Sequence, residues 1–186
     1  MKLLNSGAWW NGTSGSYYNN STTATTVNFT NYKLSDKAKS YISTSRYYLG
    51  GDNGYPPLTN EMYGYERGTL RYNTDRPLYW EGMVGLMYPS DYGYAAGNSC
   101  VSGTKLSNYK GECMNKDWLY ISNTIQWSMS PYSGVSNAVF HVHSSGFVTG
   151  GDFSRLAIAV SPVFYLSSSA SISDGEGTLN NPYILK

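Results

Sequence analysis

The stretch of this chain that says most about its fold reads Gly85-Leu86-Met87-Tyr88-Pro89-Ser90-Asp91-Tyr92-Gly93-Tyr94-Ala95. The apolar run at residues 83–88 predicts a buried strand, because it is short, continuous and stopped by Pro89. Ser90 and Asp91 then predict a turn or the cap of a helix. The stretch therefore indicates a buried strand that leads directly into a polar segment rich in tyrosine.

Upstream of this stretch the pattern favours helices. Residues 35–47 have apolar positions at helical spacing behind a capping Ser35, and residues 60–66 form a second candidate behind Thr59. Downstream the pattern favours short strands at 118–121 and 125–129, and the strongest central strand at 156–166. It also favours two hairpins: one pairs 138–143 with 147–148 around the turn Ser144-Ser145-Gly146, and the other covers 171–184 with a turn at Asp174-Gly175. Helices early and strands late, without β-α-β alternation, predict an α+β fold.

The length of 186 residues is that of one domain, and we expect a single domain over residues 1–186. Charged residues make up 13% of the chain, against about 25% in an average globular protein, whereas tyrosine occurs 19 times. Antibody paratopes favour Tyr, Ser, Gly and Asn because these residues give rigid contact area and hydrogen bonds at low entropic cost. The composition thus indicates a binding surface or, alternatively, an extracellular β-rich protein whose uncharged surface has no binding role.

The net charge of +1, without a basic run, excludes the electrostatic signature of a nucleic-acid partner. No stretch of about 20 apolar residues occurs, so no membrane span is expected within this chain. The first residues lack the apolar segment of a signal peptide. We therefore expect a fragment of a longer exported protein, anchored at the cell surface by a segment upstream of Met1.

The two cysteines, Cys100 and Cys113, enclose a polar segment that contains glycine. A disulfide between them would stabilise the fold by about 3 kcal/mol for a loop of roughly 15 residues. Such a bond would indicate an oxidising compartment. The alternative is a pair of reduced cysteines, since two cysteines without nearby histidines cannot form a structural zinc site.

Several segments resemble a family of exported proteins from gut Firmicutes and related bacteria that carry the domain of unknown function 6273. Residues 85–95 are the most specific match, and the order and spacing of segments agree from about residue 30 to the end. The other matching segments are Leu34-Ser35-Asp36-Lys37-Ala38-Lys39, Tyr63-Gly64-Tyr65-Glu66-Arg67-Gly68, Asp117-Trp118-Leu119, Gln126-Trp127-Ser128-Met129-Ser130-Pro131-Tyr132, Val139-Phe140 with Ser145-Gly146, Pro162-Val163-Phe164-Tyr165-Leu166, and Gly177-Thr178 with Asn181-Pro182-Tyr183.

This resemblance implies a fold similar to the C-type-lectin and formylglycine-generating-enzyme superfamily. The expectation is an α+β, C-type-lectin-like domain with a mixed sheet, two helices, long loops and one disulfide. Relatives carry upstream membrane-anchoring segments, some of them pilin-like, which implies an exported protein. The family usually has a Trp-rich strand followed by a Val-Arg-Pro strand, but this chain has Val160-Ser161-Pro162 and so lacks any contact of that arginine.

The two histidines, His141 and His143, lie two apart on a predicted strand, so their side chains share one face. With a third ligand such as Asp152 they would begin a zinc site. The alternative is that they form the wetter face of a hairpin while Phe140 and Val142 pack inward. We favour the alternative and expect no metal at the histidines.

Enzymatic chemistry has little support in the sequence, and we expect a protein that is not an enzyme. Formylglycine-type catalysis needs reactive cysteines beyond the expected disulfide pair, and the Gly-x-Ser-x-Gly turn of many serine hydrolases is absent. A carboxylate-dependent hydrolase stays open as an alternative, because the separation of two acids in space decides it.

The expected ligand-binding residues follow turns in the second half of the chain, and they are Asp91, Tyr92, Tyr94, Tyr132 and Asn137. Exposed tyrosine rings stack on sugars or anchor protein partners. The Asp91 carboxylate can bind a sugar hydroxyl or Ca²⁺, although the Glu-Pro-Asn and Gln-Pro-Asp triplets of lectin calcium sites are absent. The alternative for Asp91 is a cap of a helix or turn. We expect the three tryptophans Trp80, Trp118 and Trp127 in the core.

The leading hypothesis is recognition at a bacterial surface, with a host glycan, a mucin or another surface protein as the partner. A second hypothesis makes the domain the globular head of a pilus or surface-layer subunit, which binds its own neighbours. No cofactor is required by either hypothesis, apart from the calcium considered at Asp91.

Overall fold

The computed structural model describes residues 2–5, 8–19, 23–31, 34–153, 156, 158–178 and 180–186. In these residues the helices are short: α1 (Lys2–Asn5), α2 (Ala8–Asn11), α3 (Asp36–Ser40), α4 (Thr59–Glu66), α5 (Pro89–Ala95), α6 (Asn98–Gly103) and α7 (Glu112–Lys116), with a 3₁₀ turn at Leu106–Asn108. None of the described helices is long and apolar enough to cross a membrane.

The strands described are β1 (Ser14–Asn19), β2 (Thr23–Asn28), β3 (Ser45–Tyr48), β4 (Tyr79–Gly82), β5 (Gly85–Leu86), β6 (Gln126–Pro131), β7 (Ala138–Val142), β8 (Val148–Phe153), β9 (Ala159–Val160), β10 (Pro162–Val163), β11 (Ile172–Asp174) and β12 (Ile184–Leu185). The main sheet has the order β8-β7-β6-β9, in which β9 runs parallel to β6 and the other pairs are antiparallel. The remaining strands form the pairs β1–β2, β3–β4, β5–β10 and β11–β12. Separate helices and mixed sheets confirm the predicted α+β class.

The predicted helix at residues 35–47 is confirmed at its start and wrong at its end. The Ser35 hydroxyl accepts a hydrogen bond from the backbone N–H of Ala38 at 3.1 Å, which is the expected cap. The helix ends at Ser40, and Ser45–Tyr48 pairs with Tyr79–Gly82 instead. Pairing places the Tyr47 ring in the core with no exposed area, so tertiary burial overrides the helical pattern.

Two groups of buried side chains form the core. The first lies between α4, α5, the α6–α7 segment and strands β7 and β8, and its buried members are Met62, Met87, Tyr92, Ala96, Cys100, Leu106, Tyr109, Cys113, Phe140, Val142 and Val148. The second lies against β3, β5 and β6, and its buried members are Leu4, Trp9, Tyr47, Val84, Leu86, Tyr88, Trp127 and Met129. Residues 84–90, which include the start of the stretch quoted first, are buried and contribute to both groups, which explains their apolar character.

The predicted disulfide is confirmed. Cys100 of α6 and Cys113 of α7 are bonded, with their Cα atoms 5.7 Å apart. Both sulfur-bearing side chains are buried in the first core group. The bond therefore crosslinks α6 to α7 within the irregular segment between α5 and β6.

The C-terminal third departs most from prediction. Residues 156–166 were expected as a central strand, but they form the two-residue strands β9 at the edge of the main sheet and β10 beside β5. Val160 and Leu166 are exposed, so an apolar run of this length does not here mark a buried strand. The hairpin prediction for 171–184 is confirmed by the β11–β12 pair, although its loop continues from Gly175 to Tyr183.

The hairpin around Ser144-Ser145-Gly146 is confirmed, with Gly146 in the left-handed region at φ 87°. Phe140 and Val142 pack inward as expected. The wetter face predicted for His141 is wrong, because its ring is buried edge-on against Trp127 of the paired strand β6, with centroids 5.9 Å apart. Both faces of β7 are therefore covered at this position.

Candidate functional site

A cleft of about 390 Å³ opens where β5 leads into α5. Its walls come from α5, from the turn after α7 and from β10, and the residues that line it are Met87, Asp91, Tyr94, Ala95, Trp118, Leu119 and Val163. This volume is within the usual range for sites that hold small molecules. Two of the predicted ligand-binding residues, Asp91 and Tyr94, are thus brought together in one cleft.

Helix α5 positions the acidic side of the cleft. Tyr88 is the extended residue before the helix, Pro89 occupies the first turn, and the Asp91 carboxylate accepts a hydrogen bond from the Tyr88 backbone N–H at 2.9 Å. The prediction that Asp91 caps a helix is therefore confirmed. Tyr94 follows three residues later, on the same side of the helix, and its side chain is 47% exposed.

Trp118 forms the opposite rim and is the site residue whose surroundings the sequence did not predict. Its side chain is 75% exposed, so the expectation of a core position is wrong. The flanking Asp117 is buried, and its carboxylate accepts a hydrogen bond from the Leu119 backbone N–H at 2.9 Å. This tight turn directs Asp117 inward and leaves the indole outside. Residues 118–121, which were predicted as a strand, form turns instead.

A buried polar chain supports this rim from behind. The Gln126 amide nitrogen donates to the Leu119 carbonyl oxygen at 3.4 Å, and its amide oxygen accepts from the Ser161 hydroxyl at 2.6 Å. Gln126 has no exposed area. The Ser161 hydroxyl therefore satisfies a buried amide oxygen.

Behind α5, Glu66 ends α4 with its side chain fully buried. Its carboxyl group accepts hydrogen bonds from the backbone N–H of Ser90, at 2.9 Å, and from the Ser90 hydroxyl. Burial raises the pKa of Glu66 to about 7, against the lowering effect of these hydrogen bonds. The Arg67 guanidinium lies 3.2 Å from the same carboxyl group and 3.5 Å from the centroid of the Tyr63 ring.

Two further carboxyl groups have raised pKa values because they are buried. Burial raises the pKa of Asp117 to about 7, although the backbone N–H groups of Leu119 and Tyr120 oppose the change. One oxygen of Asp117, Oδ2, has no hydrogen-bond partner among the described residues. Burial also raises the pKa of Asp91, while the Tyr88 backbone N–H and the Arg67 charge lower it.

The other predicted ligand-binding residues lie away from the cleft. The expected exposure of Tyr92 is wrong, because its ring is fully buried and its hydroxyl donates to the Gly146 carbonyl oxygen at 2.7 Å. Tyr132 is half-buried, and its hydroxyl donates to the Asn53 carbonyl oxygen at 2.7 Å. Asn137 is exposed on the loop between β6 and β7. Position within α5, not closeness to a turn, decides which tyrosine faces solvent.

Neither a metal site nor a carboxylate pair emerges from the described residues. Among them, no three or more Asp, Glu, His or Cys side chains gather to hold a metal ion, while the side chain of Asp152 lies outside the described part. Glu66 and Asp91 are close enough to raise the pKa of Glu66, but the Glu66 oxygens are covered and bonded to Ser90. A hydrolase that needs two accessible carboxyl groups is therefore not favoured by this geometry.

The chemistry that the cleft can support is binding. It combines one carboxylate, two exposed aromatic rings and an apolar floor on segments fixed by the disulfide and by buried hydrogen bonds. Comparison with family models, with curated proteins and with solved structures found no significant match to this chain.

Proposed function

We propose that this chain is a recognition module at a bacterial surface and that its ligand binds in the cleft between Tyr94 and Trp118. The observation that carries the proposal is the indole of Trp118, which is 75% exposed at the rim of a preformed cleft. Tryptophan is highly buried in most proteins, because leaving its large apolar surface in water is unfavourable. An exposed tryptophan beside a second aromatic ring is typical of a contact that a ligand covers.

The shape of the cleft supports recognition without large rearrangement. Asp91 is held by the helix cap, and the Trp118 turn is held by Asp117 and by the Gln126 amide. A binding site that is already ordered loses less conformational entropy when its ligand arrives. The proposed ligands are therefore groups that enter a rigid, aromatic cleft, presented on a glycan or on a surface protein.

The proposal includes a lectin-like fold and export, as the family resemblance implies. Trp127 of β6 lies opposite Val160 of β9 in the sheet. This pairing of a strand that contains tryptophan with a Val-x-Pro strand supports the resemblance to that family. The disulfide between Cys100 and Cys113 supports an oxidising, extracytoplasmic location. Low charge and many tyrosines support a recognition surface.

A glycan array and a panel of immobilised mucins and surface proteins would test the proposal, with the oxidised domain as the probe. We expect saturable binding that Trp118→Ala abolishes. Tyr55→Ala is the matched control, because Tyr55 is 89% exposed but does not line the cleft. Parallel measurements with calcium and with chelator would show whether a cation contributes. Binding that survives Trp118→Ala would contradict the proposed site, and so would the absence of binding both to every surface and to every small-molecule ligand.

Self-assembly is a second candidate, which a separate surface favours. Several apolar side chains are exposed on the C-terminal third, namely Leu156, Val160, Phe164, Leu166, Ile172 and Ile184. Exposed apolar groups of this kind occur at protein–protein interfaces. Sedimentation over a wide concentration range would detect association, and Ile172→Ser with Ile184→Ser should prevent it if the hairpin is the contact. A monomer at all concentrations would exclude this candidate.

A further inference from the structure

The cleft combines aromatic rings with a single charge. Among the described residues that line it, Asp91 is the one charged side chain, and Tyr94 and Trp118 contribute exposed rings to the lining. The nearby Arg67 does not line the cleft, since its guanidinium lies against Glu66 and over the Tyr63 ring. The Arg67 charge thus acts on Asp91 from outside the cleft, and no cationic side chain is among the described residues that line it.

We infer that the group bound in this cleft is an alkylammonium cation, held by the Asp91 carboxylate and by the faces of Tyr94 and Trp118. The inference rests on the proposed function and names the chemistry of its ligand. Ammonium and quaternary ammonium groups are attracted to the negative faces of aromatic rings, most strongly to tryptophan. A carboxylate at the same site adds direct charge attraction, which is strengthened because Asp91 is partly buried.

A neutral sugar fits the same lining less well. Recognition of several hydroxyl groups needs several converging donors and acceptors, since each buried hydroxyl without a partner is unfavourable. Apart from Asp91, the Tyr94 hydroxyl and the Trp118 N–H, the described lining side chains are Met87, Ala95, Leu119 and Val163, none of which offers a strong donor or acceptor. An ammonium group with methyl or methylene substituents needs only one anion and apolar surroundings.

Fluorescence and calorimetric titration with choline would test the inference, with the uncharged isostere 3,3-dimethylbutan-1-ol as the matched ligand. We expect choline to bind at least about tenfold more tightly than the isostere. Asp91→Asn should remove this preference. The amide oxygen of Asn can still accept the hydrogen bond from the Tyr88 N–H, so the helix cap is kept.

Ring variants keep the test decisive if Asp91→Asn fails to fold. Trp118→Ala alters an exposed side chain and should weaken choline binding about tenfold or more, whereas Tyr55→Ala should leave it unchanged. Tyr94→Phe should retain binding because the ring remains, and Tyr94→Ala should not. Choline binding that Asp91→Asn leaves intact, or equal binding of charged and uncharged ligands throughout, would overturn the inference.

The kind of molecule that carries the cation can be identified with pairs of ligands whose members differ in one charge. Glucosamine against N-acetylglucosamine tests an amino sugar, choline against its isostere tests a choline substituent, and lysine amide against Nε-acetyl-lysine amide tests a protein side chain. A preference for the charged member in any pair supports the inference and names the source. Array binding that is lost in Trp118→Ala, without charge preference in any pair, would reject the cation and retain the proposed function. A blank array together with charge-dependent binding in a pair would retain both, and a blank in every experiment would reject both.

Discussion

Glu66 at the end of α4 accepts two hydrogen bonds from Ser90 at the start of α5, from the backbone N–H at 2.9 Å and from the side-chain hydroxyl. The first turn of a helix has backbone N–H groups without partners inside the helix, and the Glu66 carboxyl group satisfies one of them. The next residue, Asp91, faces the cleft. The contact between Glu66 and Ser90 therefore fixes the position of the charged group in the candidate site.

The raised pKa of Glu66 predicts that stability depends on pH. Burial raises this pKa from an ordinary value of 4.5 to about 7, so the folded state retains a proton that the unfolded chain has lost. The free energy of unfolding should consequently fall as the pH rises from about 4.5 to 7, by roughly 1 kcal/mol per pH unit. Urea denaturation at a series of pH values would measure this slope.

Glu66→Gln is the control for this dependence, because an amide keeps hydrogen bonds to Ser90 but does not titrate. Asp117 also has a pKa raised to about 7 and changes stability in the same direction. The difference between the wild type and Glu66→Gln isolates the contribution of Glu66. If the two proteins lose stability in parallel between pH 4.5 and 7, Glu66 does not hold the proton.

Loss of the disulfide should lower the free energy of unfolding of the domain. The bond between Cys100 and Cys113 lies in the segment that connects Ala95 on one wall to Trp118 on the other. Replacing both cysteines with serine should cost about 3 kcal/mol of unfolding free energy. Denaturation with and without reductant would measure the change, and reductant should have no effect on the double variant. A wild type that is equally stable when reduced would contradict this expectation.

Gly93 allows close packing of α5 on α4. A Cβ atom at Gly93 would lie 2.3 Å from the Thr59 hydroxyl oxygen and 2.8 Å from a Leu106 methyl carbon. Gly93→Ala should therefore lower the free energy of unfolding by about 1–3 kcal/mol, despite the better helix propensity of alanine. Gly64→Ala in α4 is the matched control, since beyond the adjacent residues and the backbone of its own helix no described atom lies within 4 Å of its Cβ position. It should stabilise by roughly 0.5–1 kcal/mol. Similar effects of both substitutions would refute the packing argument.

Exposure of Trp118 predicts a distinct fluorescence response. Trp118→Phe should reduce the fluorescence that iodide quenches and should change the unfolding free energy by less than about 0.5 kcal/mol. Trp127 is the contrasting residue, because it is buried and its indole N–H donates to the Leu156 carbonyl oxygen at 3.3 Å. Trp127→Phe should destabilise by about 1–3 kcal/mol and leave the quenchable fraction intact. Unchanged quenching in Trp118→Phe would contradict the exposed indole.

Local signals in the sequence predicted several elements correctly. The Ser35 cap, the helix at 60–66, the hairpin at 144–146 and the Cys100–Cys113 bond all depend on residues close together in the chain. The cap predicted at Thr59 is wrong, because Thr59 is the first residue of that helix and Leu58 precedes it. Capping side chains, turn glycines and short disulfide loops act over a few residues, so their effect can be recognised without the fold. The α+β class is confirmed, but the predicted order of early helices and late strands is wrong, because β1–β3 come before α4 and α5–α7 lie within residues 89–116.

Burial of the aromatic residues could not be predicted in the same way. Tyr92 and Tyr94 are two residues apart and chemically identical, yet one anchors the core and the other lines the cleft. Trp118 and Trp127 were both expected inside, and only Trp127 is. Which side of a short helix or turn is covered depends on segments distant in sequence, such as Glu66 behind α5 and Gln126 behind the Trp118 turn.

By itself the sequence determined the fold class, the disulfide and the abundance of aromatic and uncharged polar residues, because composition and local pattern carry that information. Only the tertiary structure decided that Asp91, Tyr94 and Trp118 meet in one cleft. The reason is physical: a binding site is a relation between side chains in space, and packing among distant segments sets which faces remain in contact with water.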